Sequence, residues 1–282
     1  MSNKPYEICS DARSVTVYSS DYVPNEPKGW REELKRDIQK ALEQLQAAEG
    51  EGVAAVYGNV NESQYSIDTE NVLFYNLRSG SFKQIASHCI SFDTLSQQET
   101  IARLAQAGKS EYQHYYSYRI SETSSFRKHD AVLLLSWDKI ALPSLSGDVL
   151  DYWKLMREHI NEVEVFEDKD YSGRFGIDIH IYEARTKPKN LAGLVKKLLD
   201  GLICAFHRMP SDVDAGVLAA ASSRLGLPIE QLLYTEKTIL GERVYIGPNW
   251  NPKDDYCTTA NITIEYGADD RCFSGKIYRI NK

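Results

Sequence analysis

The tetrapeptide Asp68-Thr69-Glu70-Asn71 sets two carboxylates two residues apart, between a strand-like stretch and an apolar one. In an extended segment residues 68 and 70 point to the same side. Two carboxylates so placed can share a Mg²⁺, which prefers oxygen ligands. A metal held there would activate water for phosphodiester hydrolysis. Asp93, directly after Phe92, is the candidate third ligand. The same residues also suit a solvated turn whose Asp and Asn cap a following helix.

A second cluster has the opposite sign. Arg185, Lys187 and Lys189 precede a helical pattern that itself carries Lys196 and Lys197. Between residues 174 and 208 there are seven Lys/Arg against three Asp/Glu. Such a patch can hold phosphate, with the helix N-terminus adding its dipole. A charged turn beside a solvated helix face is the alternative reading. The remaining chemistry-bearing residues form no recognisable site. The six histidines have no metal-ligand spacing; His180 falls on the outer face of a strand and His207 at a helix end. The five cysteines (Cys9, Cys89, Cys204, Cys257, Cys272) include no Cys-x-x-Cys, and Cys204 reads as a core thiol. Phosphate-loop, Gly-x-Ser-x-Gly and His-Glu-x-x-His patterns do not occur.

The elements that would position these groups follow from periodicity. Phe175, Ile177, Ile179 and Ile181 alternate with Gly176, Asp178, His180 and Tyr182, as in a half-buried strand. After a polar turn, Leu191, Leu194, Val195, Leu198, Leu199, Leu202, Ile203 and Phe206 recur at helical spacing. The first half shows a fainter version. It has a strand at 14–18, a helix with Trp30, Leu34, Ile38, Leu42 and Leu45, and a strand at 53–57. An apolar piece near 85–92 and a helix from a Ser96-x-x-Glu99 capping box follow. A tyrosine-rich strand at 111–121 closes the half, with Tyr112, His114, Tyr116, Tyr118 and Ile120 on one face.

The second half begins with a buried-looking strand at 131–137 and a helix with Val149, Trp153, Met156 and Ile160. Beyond His207 comes an insertion, about 208–248, with helices near 213–224 and 229–238. A long strand at 260–266 and an edge strand at 271–280 end the chain. The fold class expected is mixed α/β (α+β), with units at 1–124 and 125–282. A polar connection at 121–128 divides them, and strand, polar loop, helix and strand recur in the same order in both. A duplication of one unit would produce that order.

Composition narrows the function classes. The chain has 282 residues, 42% hydrophobic and 26% charged, and a net charge of −7, so it is globular and not disordered. The first 125 residues carry 12 Lys/Arg against 17 Asp/Glu, and the remainder 21 against 23. Neither half has the overall positive charge of a protein that grips duplex DNA without sequence preference, so any nucleic-acid contact must be local. Residues 1–10 lack an apolar core and the apolar run 131–135 is too short to cross a bilayer. A cytoplasmic protein with neither signal peptide nor membrane contact is therefore expected.

Residues 131–268 resemble the RusA-type Holliday junction resolvase family. That family joins a strand to a turn bearing Asp-x-Asp-Asn and a Leu-rich helix of the form Asn-Leu-x-x-x-x-x-Asp-x-Leu. An Asp-Asp loop and a closing strand come later. Here the helix runs from Asn190-Leu191 through Leu198-Leu199-Asp200-Gly201-Leu202, the loop holds Asp254-Asp255, and 260–266 closes. Lys187 and Lys189 stand where the motif has its metal-binding acids. The resemblance therefore implies a second half without nuclease activity. Asp68-Thr69-Glu70-Asn71 is closer to the acidic motif, although Phe74, Tyr75, Asn76 and Gly80 interrupt the helix that should follow.

Because the family works as a homodimer, two fused copies would make a pseudo-dimer. The resemblance implies a nucleic-acid-associated protein that meets branched or duplex DNA through Arg185, Lys187, Lys189, Lys196 and Lys197. Two other classes also fit the residues. One is a protein-interaction or assembly module with no catalysis. The other is a Mg²⁺-dependent endonuclease using Asp68, Glu70 and Asp93.

Overall fold

The alternating isoleucines form β8 (Phe175–Glu183), with Ile177, Ile179 and Ile181 fully buried. In the computed structural model, which describes residues 4–61, 67–122, 131–167, 171–208, 213–233, 237–241, 245–246, 249–250 and 256–280, this strand lies inside a ten-stranded mixed sheet. The first half supplies β1 (Tyr6–Ser10), β2 (Ser14–Ser19), β3 (Glu51–Asn59), β4 (Cys89–Thr94) and β5 (His114–Glu122). The second supplies β6 (Val132–Ala141), β7 (Glu164–Val165), β8, β11 (Cys257–Tyr266) and β12 (Cys272–Arg279). Two further short strands, β9 (Tyr245–Ile246) and β10 (Asn249–Trp250), pair only with each other.

The sheet order is β1-β2-β5-β3-β4-β11-β8-β12-β6-β7. Outward from the centre, β4 pairs parallel with β3, β3 antiparallel with β5, and β5 antiparallel with β2. On the other side β11 pairs parallel with β8, β8 antiparallel with β12, and β12 antiparallel with β6. The two sets of four strands thus have the same order and the same relative directions. They meet antiparallel, Asn261 of β11 opposite Ser91 of β4, as two copies about a two-fold axis would.

Six α-helices accompany the sheet among the described residues. They are α1 (Trp30–Leu42), α2 (Gln97–Gln106), α3 (Val149–Glu158), α4 (Val195–Phe206), α5 (Ala215–Leu225) and α6 (Ile229–Leu232). α1 joins β2 to β3 and α3 lies between β6 and β8, the same place in each half. α1 buries Leu34, Ile38 and Leu42. α3 and α4 cross closely because position 201 has no side chain: a Cβ there would lie 2.6 Å from both Tyr152 Cβ and the Val149 carbonyl oxygen. One continuous apolar core runs through both halves, from Val15 and Leu34 to Ile262 and Ile277. A smaller cluster, Tyr18, Leu95, Leu104, Tyr112 and Tyr115, lies under α2. The helix begins at the expected box: the Ser96 hydroxyl accepts the Glu99 N–H, and the Glu99 carboxylate accepts the Ser96 N–H.

The tyrosines are structural. Tyr116 and Tyr118 are wholly buried on β5. The Tyr116 hydroxyl accepts the Val23 N–H at 3.0 Å, and the Tyr118 hydroxyl donates to the Leu73 carbonyl at 3.0 Å. A buried Tyr that finds a partner for its hydroxyl adds a large apolar surface at little polar cost.

Several expectations change. Residues 272–279 do not form an edge strand; β12 lies between β8 and β6 and is paired on both sides. The true first-half edge is β1, whose short, partly charged sequence has no clean alternation. Tyr112 precedes β5 and belongs to the cluster under α2, not to the face of Tyr116 and Tyr118. The helix expected from Leu191 starts as a 3-10 turn, Leu191–Gly193, before α4. The second insertion helix, expected to 238, is the single turn of α6. The connection at 123–128 and the Asp254-Asp255 loop lie outside the described residues.

Candidate functional site

Asp68 and Glu70 do not lie on an extended segment. Asp68 opens a helical turn, its Oδ1 accepting the Asn71 N–H at 3.2 Å and its Oδ2 the Asn71 side-chain amide. The chain continues as a π-helical turn, Asn71–Tyr75, with the Asn76 N–H on the Asn71 carbonyl at 2.8 Å. Local capping chemistry wins over strand geometry because Val72, Leu73 and Phe74 then enter the core together. Phe74 packs edge-on against Phe82, ring centroids 5.2 Å apart. The capping alternative is the geometry found, but its solvated setting is not: Glu70 is only 5% exposed.

Asp93 does not join these two carboxylates. Its neighbours on β4 face the π-helical turn: Phe92 meets Phe74, and Thr94 Oγ1 lies 2.7 Å from Thr69 Oγ1. Side chains alternate along a strand, so Asp93 projects from the opposite face of the sheet.

The third carboxylate is Asp200, from α4 of the other half. Lys196, one helical turn before it, places its ammonium among all three acids. Nζ lies 3.2 Å from Asp200 Oδ2, 3.5 Å from Asp68 Oδ2 and 3.6 Å from Glu70 Oε2. The same ammonium sits 5.8 Å from the centre of the Tyr75 ring, within cation–π range. Lys196 is therefore not available to nucleic acid as the sequence suggested; it is committed to the acidic cluster. A Mg²⁺ sharing these acids would need oxygens at about 2.0–2.1 Å. An ammonium stands in that place, and among the described residues no group of three or more His, Cys, Asp or Glu is arranged to hold a metal ion. Residues 68, 70 and 200, with Lys196 in position, do not fit the metal. Asp200 was not assigned a role from sequence, though the Lys196-x-x-x-Asp200 spacing is the signal of an i,i+4 pair.

The basic turn lies beside this cluster and is pinned at both ends. At its start Glu183, wholly buried, accepts the Arg185 N–H at 3.1 Å and a forked contact from Arg271, the nearest at 2.7 Å. Burial pushes the Glu183 carboxyl up, but the Arg271 guanidinium and the Arg185 N–H outweigh it and hold the group below its ordinary value. At the turn's end the Lys189 N–H donates to the Tyr266 hydroxyl at 2.9 Å. Asn190 donates to the Ser79 carbonyl at 2.6 Å, while its Oδ1 caps the turn by accepting the Ala192 N–H. Between these anchors Arg185 and Lys187 are exposed, Lys189 is half-buried, and Lys197 is exposed on the first turn of α4. None of these four side chains makes an ion pair among the described residues.

No family model, curated protein or solved structure matches this chain. Its class is given by its fold, a mixed α/β chain built on a ten-stranded sheet. No helix among the described residues is long and apolar enough to cross a membrane.

Proposed function

We propose that the chain is a RusA-like nucleic-acid-associated protein without nuclease activity in its C-terminal half, and that Arg185, Lys187, Lys189 and Lys197 contact phosphate. The observation carrying this reading is the local surplus of cation. Four basic side chains share one turn and the helix start that follows, and no carboxylate among the described residues pairs with them. The neighbouring acids already surround Lys196, so their charge is partly neutralised before a phosphate arrives. A pair of fused, diverged copies accounts for the shared strand order of the two halves. In that reading the acidic segment of one copy and the basic helix of the other meet near the two-fold axis.

Gel shifts on four-way-junction and duplex DNA at low and moderate salt test this. Salt-sensitive binding that is lost in an Arg185→Glu/Lys187→Glu variant supports it. Absence of binding at low salt overturns it. A stoichiometric protein partner that co-purifies without nucleic acid would favour an assembly module instead.

A further inference from the structure

The basic turn borders a cleft of about 350 Å³ between it and the loop joining β6 to α3. Lys189 and Lys197 line one side, Ser146 and Gly147 the other, and Leu191 and Leu194 the apolar wall. Lys189 is held through its backbone by Tyr266, and Ser146 accepts or donates at 2.7 Å to the Ser144 hydroxyl. The acids nearest on the loop side are already engaged. Asp148 and Asp151 form the capping box of α3, accepting N–H groups of that helix and of each other. Lys189 and Lys197 thus both line this space.

We infer that this cleft receives the phosphorylated end of a nucleic-acid strand. The inference rests on the proposed nucleic-acid reading and assigns the cleft a particular part of the ligand. A terminal phosphomonoester carries about −1.5 to −2 charge near neutral pH and three acceptor oxygens, which two lysines match; an internal phosphodiester carries one charge. The volume is at the lower end for a ligand pocket, roughly 300–1,000 Å³. It is large enough for a terminal phosphate with its sugar.

Fluorescence anisotropy with oligonucleotides of one sequence, ending in a 5′-phosphate, a 3′-phosphate or hydroxyls only, tests the assignment. The full chain should bind one of the phosphorylated forms about tenfold more tightly than the hydroxyl form. A Lys189→Ala/Lys197→Ala variant, and Lys197→Gln alone if the double variant does not fold, should lose that preference. Equal binding of all three oligonucleotides overturns the cleft assignment and leaves the nucleic-acid reading intact. No binding of any oligonucleotide at low salt overturns both. A 5′-mononucleotide that competes as well as the phosphorylated strand also overturns the assignment, because the cleft would then hold a free nucleotide.

Discussion

Lys196, on a helix of the second half, sets its ammonium 3.6 Å from the carboxylate of Glu70, on a turn of the first half. With Asp68 and Asp200 at 3.5 and 3.2 Å, this contact makes a single charge cluster out of two distant stretches of chain.

Removing that ammonium should be costly. Lys196→Ala leaves three mostly buried carboxylates facing one another. We expect a loss of about 2 kcal/mol, below the 3–5 of a fully buried pair because a quarter of the Lys196 side chain (24%) is exposed. Urea unfolding measures it. Millimolar Mg²⁺ should raise the melting temperature of this variant more than that of the unaltered chain, since a divalent cation can take the vacated place. Equal shifts would show that the cluster does not select cations.

Glu183 and Arg271 fasten the start of the basic turn. Arg271→Ala strands a buried carboxylate and should cost about 3 kcal/mol at neutral pH. The pH dependence has a definite sign. The Glu183 carboxyl is held below its ordinary value, so its stabilisation is present above the unfolded pKa. It disappears as pH falls through the folded one. Thermal melts from pH 7 to pH 3 should therefore show the variant and the unaltered chain converging on the acid side.

His114 acts in the same direction, beginning at a higher pH. It is 4% exposed, its Nδ1 lies 2.9 Å from the Tyr57 hydroxyl, and burial pushes its pKa down to about 4. The unfolded chain takes up this proton near 6.5, so between there and 4 the unfolded state binds more protons. Stability then falls as pH falls, by about 3 kcal/mol across the window. His114→Gln should flatten this part of the stability profile. A variant as acid-sensitive as the parent would remove His114 as the cause.

The α3–α4 crossing is tuned to a glycine. Gly201→Ala places a Cβ 2.6 Å from backbone and from Tyr152 Cβ, neither of which is the end of a flexible side chain. The helices must separate, at about 1–3 kcal/mol. Because Asp200 is the adjacent residue, the same variant should also disturb the Lys196 cluster, so its effect should be less than additive with Lys196→Ala.

For the basic turn, single Ala substitutions of Arg185 and Lys187 should each lower the slope of log K against log salt by about 0.9 on duplex DNA. Lys196→Ala should leave the slope nearly unchanged, because that ammonium is held among three carboxylates. A slope insensitive to Arg185 and Lys187 would place any DNA contact elsewhere on the protein.

Local rules carried much of the fold. Alternation identified β8, β11 and β5, helical spacing identified α1, α3 and α4, and the Ser96 box marked the start of α2. The same rules left two readings open for Asp68 and Glu70. The sequence shows a carboxylate pair, but strand geometry and an Asp-capped turn share that composition, and only the burial of Val72, Leu73 and Phe74 selects the turn. They also left β12 at an edge, since alternation describes one strand's faces and says nothing about how many partners it has.

By itself, then, the sequence determined which segments are strands and helices and where charge gathers along the chain, because these depend on neighbours a few residues apart. The tertiary structure decided which charges meet. Pairing Ser91 with Asn261 at the centre of the sheet joins the halves, and the packing that follows brings α4 of the second against the π-helical turn of the first. Lys196 thereby enters the acid cluster, Asp93 is turned to the far face, and Lys187 stays in solvent. That pairing spans most of the chain and rests on hydrogen bonds every strand can make and on shared core volume, neither of which leaves a local signature.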